Sequence, residues 1–244
     1  MTRSFCIDAL PERALAYPAP FAVVAVDAFR ATTTIVTALA AGRRVYPVAS
    51  LPDAERLSQS LLHPLLVGEL AGNRPDGFDM NNSPAELEQS SDRRPVVLLS
   101  SSGTLLLTNA RSAAAIYVAC FRNLRVTAHY VAGRHDQVAI IGAGSRGAAR
   151  PEDEMACAWI ADHLLKRGFE AVDERSSEEV IRWRGADIQM IRQSPSADYL
   201  RATGQAADID FVAAHVDDLD LVAAFDGTQV NALAAASSPI EEPA

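Results

Sequence analysis

Apolar residues along this chain fall in short unbroken runs, each followed by a polar turn and then a helical pattern. Residues 21–26, 45–49, 65–67, 95–99, 115–119 and 138–141 are such runs, rich in Val, Ile, Leu and Ala. Runs of that length without polar alternation suit strands buried on both faces. Between them the pattern predicts helices over 32–41 and 53–62, a helix opened by Ser83-Pro84-Ala85-Glu86, one ending near 110, and others over 124–132 and from 151 to about 167. The Ser83 stretch has Ser at N-cap, Pro at N1 and Glu at N3, the residues of a capping box. Residues 1–20 hold Pro11, Pro18 and Pro20 and read as a short strand or lead-in. Toward the end, 177–183, 196–202 and 217–224 read as helical.

Alternation of strand and helix predicts an α/β fold: a three-layer α/β/α sandwich with a largely parallel or mixed sheet. The expected organisation is a single domain over 1–226, alternatively two closely packed lobes, and a flexible Ala/Ser/Pro-rich tail over 227–244. Ligands of such sheets bind outside the carboxyl ends of the strands. Asp27, Glu69, Ser100–Thr104 and the 142–147 loop all fall at expected strand ends.

Composition narrows the classes. The 244 residues carry a net charge of -9, which with no Lys/Arg stripe argues against nucleic acid as a partner. Cys6, Cys120 and Cys157 are far apart and form no CxxC, so neither a disulfide framework nor a zinc knuckle is expected. Neither a signal peptide nor a run approaching the roughly 20 apolar residues of a membrane span is visible. The expectation is a soluble, cytoplasmic protein without a membrane partner, and a homodimer by symmetry base rates alone.

The most telling stretch is Asp27-Ala28-Phe29-Arg30-Ala31-Thr32-Thr33-Thr34. A buried strand that ends in an acid and turns into a helix carrying Arg and Thr is a place for phosphate and metal. Asp27 is the candidate Mg²⁺ ligand, Arg30 the fork for phosphate oxygens, and Thr32 and Thr33 sources of hydroxyl and N–H donors. The bland alternative is an N-cap acid with an ion-paired Arg. Phe29 stands where a haloacid-dehalogenase-type phosphatase would need its second acid. Glu69 and Asp79 flank a Gly/Asn-rich loop and could serve a hard cation, or be turn residues. Ser100, Ser101, Ser102, Gly103 and Thr104 form a small-residue loop suited to an anion; no Gly-x-Ser-x-Gly elbow marks a serine nucleophile. Gly142-Ala143-Gly144-Ser145-Arg146-Gly147 matches G-x-G-x-x-G, but its helix opens late, at Pro151, which weakens a nucleotide reading. Glu152 and Asp153, taken alone, complement a helix dipole. The five histidines show no zinc or triad spacing.

Taken in order, these motifs resemble the 2-phosphosulfolactate phosphatase (ComB-like) family. Asp27 to Thr34 resembles its Asp-x-x-Arg-Ala-Thr-Thr turn. Gly68-Glu69 and Gly77-Phe78-Asp79-Met80-Asn81-Asn82-Ser83-Pro84 resemble Gly-Glu-Arg and Gly-Phe-Asp-x-Gly-Asn-Ser-Pro. Ser100–Thr104 stands for Thr-Thr-Asn-Gly-Thr, and Pro151-Glu152-Asp153 with Ala156-Cys157-Ala158 resembles its Glu-Asp … Cys-Ala-Gly helix start. The resemblance implies an α/β, Mg²⁺-dependent phosphomonoesterase that hydrolyses a small anionic phosphoester in the coenzyme M route. It implies Asp27, Glu69, Asp79, Glu152 and Asp153 as metal or acid–base groups, with Asp27, Arg30 and Glu69 catalytic. It implies Arg30, Thr32, Thr33, Asn82, Ser83, Ser101, Ser102, Gly103 and Thr104 as substrate binders. Leu70, Asn81 and Ser102 depart from the family's Arg, Gly and Asn, which bears on the substrate. Direct attack by water and an aspartyl-phosphate on Asp27 both stay open. The alternatives are a non-catalytic or altered-specificity binder of a phosphorylated acid, and a nucleotide-dependent enzyme using the 142–147 loop.

Overall fold

The computed structural model describes residues 2–233. Its strands are β1 (Ser4–Ala9), β2 (Ala22–Val26), β3 (Val45–Val48), β4 (Leu65–Gly68), β5 (Met80–Asn81), β6 (Val96–Leu99), β7 (Ala115–Ala119), β8 (Gln137–Gly142), β9 (Glu170–Ala171), β10 (Val222–Phe225) and β11 (Val230–Leu233). They form one sheet in the order β5-β4-β6-β3-β11-β10-β7-β2-β8-β1-β9. Two parallel sets, β5-β4-β6-β3 and β7-β2-β8-β1-β9, are joined by the antiparallel β10–β11 hairpin. The join is thin on one side: β11 meets β3 through the single pair Val230↔Val45. β3 also contains Pro47, which has no N–H to donate.

Burial of both strand faces is what the unbroken apolar runs require. On β2, Val24 and Val26 point into one core with Phe5, Ile7, Val138 and Ile140. That core is closed by α5 (Leu124–Ala132), α6 (Pro151–Leu165) and α7 (Glu174–Trp183), through residues such as Leu124, Ile160 and Trp183. Val23 and Ala25 point into the opposite core with Leu65, Val67, Val96 and Leu98 of the second strand set. Ile35 and Val36 of α1 (Ala31–Ala40) and Leu106 and Leu107 of α4 (Gly103–Asn109) fill that core. The same two helices thus serve both halves of the sheet. The outer face of the second half, Tyr46, Val48, Val97 and Leu99, packs on α2 (Leu51–Ser60). Each half-sheet lies between helices, the α/β/α layering expected from the alternation, with a mixed and mostly parallel sheet.

Local signals set the helix starts. Ser50 accepts a hydrogen bond from the Asp53 amide to cap α2, and Ser83 accepts one from Glu86 to open α3 (Pro84–Gln89). Ser194 accepts one from Ala197 to open α8 (Pro195–Ala202), which leads into α9 (Ala206–Ala214).

Two expectations are corrected, and a third, the short strand or lead-in over residues 1–20, is borne out by β1. Residues 217–224 are not helical: they end in β10, whose Val222 and Ala223 are fully buried between β7 and β11. Tertiary burial overrides a helical period in so short a run. The lead-in contains a complete strand, β1, paired with β8 over six residues. The stretch expected to be a tail from Gly227 supplies β11, while 234–244 lie outside the described residues. Among the described residues no helix is long and apolar enough to cross a membrane.

His129 of α5 and His163 of α6 meet edge to face, with ring centroids 5.6 Å apart. Burial, then the charges of Arg167 and His163, push the His129 imidazole down to about 4. An unfolded histidine titrates near 6.5. Between pH 6.5 and about 4 the unfolded chain takes up a proton that the folded one refuses, so stability falls as pH drops through that window. His129→Gln is therefore expected to lose less stability than the wild type over that range, read from urea midpoints at pH 7, 6, 5 and 4.

Candidate active site

The carboxyl ends of β2, β4, β6 and β8 open onto one cavity of about 480 Å³. Asp27, Glu69 and Ser100–Ser102 line it from three strand ends, the 144–147 loop from a fourth, and Pro195, Ser196 and Tyr199 from α8. Residues from both halves of the sheet therefore meet there.

The β2–α1 turn is tied from within. The Asp27 amide donates to Thr32 Oγ1 (2.8 Å), and that hydroxyl donates to the Asp27 carbonyl (2.9 Å). Thr33 Oγ1 donates to the Ala28 carbonyl and Thr34 Oγ1 to the Arg30 carbonyl. All three threonines are buried. Thr32 and Thr33, expected to bind substrate, instead hold the turn, because a buried hydroxyl takes the nearest backbone partner. The Phe29–Arg30 peptide bond is cis.

Asp27 itself is 5% exposed. Burial, then the charges of Glu69 and Glu152, raise its carboxyl to about 7, against lesser opposition from the Ala31 amide and Arg30. Removal from water and the presence of like charges both disfavour the ionised form. A Cβ at Gly103 would run into Asp27 Oδ2 and Ala31 Cβ. The glycine in the serine loop thus admits α4 to the Asp27 side chain; its own N–H donates to Ser100 Oγ (3.3 Å). Thr104 Oγ1 bonds to Ser100 and is fully buried, whereas Ser101 and Ser102 face the cavity.

The remaining acids divide by what their oxygens do. Glu69 accepts from the Ser101 amide (2.5 Å), the Gly72 amide (2.6 Å) and Ser101 Oγ (3.1 Å). It joins the two loops of the second half-sheet while lining the cavity. Asp153 accepts from the Ala28 amide (2.8 Å) and the Gly144 amide (2.9 Å), clamping the β2 and β8 loops together. Burial and the charge of Asp27 raise its carboxyl well above the usual range. Glu152 is 1% exposed, and its Oε2 is buried without a hydrogen-bond partner. Burial raises its carboxyl, opposed by the Ser196 and Ser194 hydroxyls. Asp79 lies elsewhere. It is exposed, accepts from the Leu66 amide (2.8 Å) and faces Arg94 Nη2 at 3.6 Å. Its place at the end of a Gly/Asn-rich loop gave it a site-like spacing, but β5 pairs beside β4 and leaves it on the outer face.

Arg30 lines the cavity and is buried. Its Nη1 donates to Asp208 Oδ2 and Gln205 Oε1, both at 2.6 Å, and its Nη2 to Asn81 Oδ1 at 3.4 Å. Asp208 also accepts from Ser83 Oγ (2.6 Å) and the Ala85 amide (3.2 Å). Ser83 is therefore the N-cap of α3 and a buttress for Asp208, and does not line the cavity. Asn82 does, with its Oδ1 buried and unpartnered. The departure at Asn81 is absorbed into the Arg30 network, and Leu70 is an exposed residue off the cavity wall. Sequence reasoning missed Asp208, Gln205, Tyr199 and Ser196, because α8 and α9 carry no chemical motif; two acids, Asp208 and Asp210, in the otherwise apolar run Ala206–Ala214 were the one available signal.

Together the mixed α/β sheet, the acid cluster and the fixed guanidinium define an enzyme that handles an anionic, phosphoryl-bearing small molecule at strand ends. The chain belongs to the 2-phosphosulpholactate phosphatase family, whose model matches residues 8–228. It is 34% identical over 191 residues to a protein of Pseudothermotoga lettingae, covering 77% of this chain and 82% of that one. It is 31% identical over 194 residues to one of Carboxydothermus hydrogenoformans, covering 79% and 81%. Over 160 residues it is 37% identical to one of Thermosynechococcus vestitus, covering 64% and 65%. Each of the three is named a probable 2-phosphosulfolactate phosphatase. The family is one of phosphatases, that is, phosphoric monoester hydrolases.

Two outcomes follow from this geometry. Asp208→Ala leaves the Arg30 guanidinium buried without its counter-charge and is expected to cost about 3–5 kcal/mol in chemical denaturation. Asp27→Asn is expected to stabilise the protein in EDTA at pH 8, because it removes a buried charge. The folded carboxyl titrates near 7 and the unfolded one near 3.9, so the gain is full above pH 7 and fades as pH falls toward 4. A rise of roughly 3 °C or more in Tm is expected at pH 8, since 1 kcal/mol moves a chain of this size by about 2–4 °C.

Proposed function

We propose that this chain is a Mg²⁺-dependent phosphomonoesterase that converts 2-phosphosulfolactate and water to sulfolactate and phosphate. The observation that carries the reading is the convergence of Asp27, Glu69, Arg30 and the Ser101–Ser102 wall at one cavity, with the Glu152 carboxylate near enough to raise Asp27. The names of the relatives support the substrate.

Among the described residues no three His, Cys, Asp or Glu side chains form a ready cation cage. Mg²⁺ does not need one: it keeps several waters and is bound by one or two carboxylates plus substrate phosphate. Of the five expected ligands, Glu69 and Asp153 spend their oxygens on backbone amides, and Asp79 is off the site. Asp27 and the orphaned Glu152 Oε2 remain. A divalent cation held by these two carboxylates would give the buried Asp27 a counter-charge and Glu152 Oε2 a partner, so these residues fit the group. When bound, Mg²⁺ supplies a Lewis acid for the phosphoryl oxygens and a more acidic water.

The protein's own groups do the rest. Charge spreads over the equatorial oxygens as the phosphoryl group transfers, and positioned cations stabilise it. Arg30 supplies such a cation, pre-aimed by Asp208 and Gln205, so little side-chain freedom is lost on binding. Ser102 offers a hydroxyl to the same oxygens, and Glu69, bonded to the Ser101 amide and hydroxyl, fixes the loop that presents it. Pro195, Ser196 and Tyr199 of α8 wall the side of the cavity away from the sheet's strand ends.

The test is phosphate release from a panel of small phosphoesters, with and without Mg²⁺, by wild type, Asp27→Asn and Glu152→Gln. Activity with 2-phosphosulfolactate should disappear in EDTA, return with Mg²⁺, and fall at least about 100-fold in either variant, the size of one lost electrostatic group. Metal-independent turnover, or an Asn variant as active as wild type, would overturn the reading.

A further inference from the structure

Three arginines line the cavity: Arg30, Arg146 and Arg150. Arg30 is neutralised by Asp208 at 2.6 Å. The other two sit on the loop between β8 and α6, and among the described residues neither has a carboxylate oxygen within 4.0 Å. Arg150 Nη2 donates to the Ser145 carbonyl (2.9 Å), while its Nε is buried without any partner. Its charge reaches Glu152, whose carboxyl it helps to hold down. Arg146 is exposed and lies over the Tyr199 ring at 5.0 Å from the centroid, so α8 braces its guanidinium.

The backbone of this loop is also unusual. Arg146 has φ 53, a left-handed conformation that a long side chain rarely adopts, between Gly144 at φ 59 and Gly147 at φ 71. A Cβ at Gly144 would come within 2.6 Å of the Ala148 carbonyl oxygen. Arginine in a left-handed turn costs free energy that glycine or asparagine would avoid. That cost is accepted where the turn sets two unpaired guanidinium groups at a cavity whose other charged wall groups include Glu12, Asp27 and Glu69.

We propose that Arg146 and Arg150 form a second anion subsite of this cavity, which takes a carboxylate or sulfonate carried by the substrate in addition to its phosphate. The proposal rests on the phosphatase reading and deepens it. Arg30 and the serine loop take the phosphoryl end; the 146–150 loop selects esters of acids over esters of neutral alcohols. Guanidinium groups suit this task because planar oxyanions accept their paired N–H donors.

Two measurements test it. The first is the ratio of kcat/KM for 2-phosphosulfolactate to that for isopropyl phosphate, in wild type, Arg146→Gln, Arg150→Gln and Arg146→Lys. The ratio should fall about tenfold or more in each Gln variant, mostly through KM, with partial recovery in the Lys variant. The second is calorimetric binding of sulfolactate, which has no phosphoryl group; its affinity should fall by a similar factor. An unchanged ratio together with unchanged sulfolactate affinity would overturn the subsite even if the enzyme hydrolyses 2-phosphosulfolactate. Conversely, if wild type turns over no ester but binds sulfolactate in an Arg146-dependent way, the subsite stands and the phosphatase reading fails. A circular dichroism melt of each variant separates loss of fold from loss of recognition.

Discussion

Carboxylates taken out of water repel one another strongly, and this protein concentrates three of them, Asp27 at the end of β2 and Glu152 and Asp153 in the first turn of α6. Glu152 raises the proton affinity of Asp27, and both raise that of Asp153. Such a cluster persists only where the surrounding structure holds it. The supports are visible: Asp153 is gripped by the Ala28 and Gly144 amides, and α4 presses against Asp27 through a residue that has no side chain. The threonines behind the turn, the apolar strands below it and the helices on either side all maintain this unfavourable charge density. The binding free energy of a cation and a phosphate ester would be the compensating term. On that view the site is the least stable part of the fold without its ligands and the most rigid part with them.

Arg30 shows the complementary device. A fully exposed arginine beside a phosphate would lose much side-chain freedom on contact. Here Asp208, Gln205 and Asn81 hold the guanidinium before any ligand arrives. All three partners, Asn81 at the end of β5, Gln205 just before α9 and Asp208 within it, are remote in sequence from the turn they serve. The small helices at the end of the chain thus act as a bracket for the chemistry at its beginning.

Much of this was legible in the sequence. β2, β6 and β8 announced themselves as unbroken apolar runs, and Ser83 marked the helix it caps. Asp27, Glu69 and Ser101–Ser102 were placed at one site by their shared position at strand ends. The hydroxyls of Thr32 and Thr33 were legible as site residues only in type: nothing in a one-dimensional string says whether a hydroxyl faces a ligand or its own backbone. Asp79 satisfied every spacing argument and was displaced by the pairing of two-residue β5. Residues 222–225 were misread because a four-residue alanine- and valine-rich run has no distinctive period, and only its burial between two strands decides its form. Asp208 was invisible because its role depends on a contact across the fold.

The β10–β11 hairpin has a consequence for biosynthesis. It is the last pair of described strands to leave the ribosome, yet it lies in the middle of the sheet. Until residues 222–233 are made, β3 and β7 each present an unpaired edge, and open edges invite pairing with other chains. The cavity draws on both sides of that seam, so its lining groups reach their final spacing only once the hairpin is in place. Competence for chemistry is thereby reserved for molecules whose synthesis has passed the seam, and an interrupted message yields a fragment with adhesive edges and no assembled site.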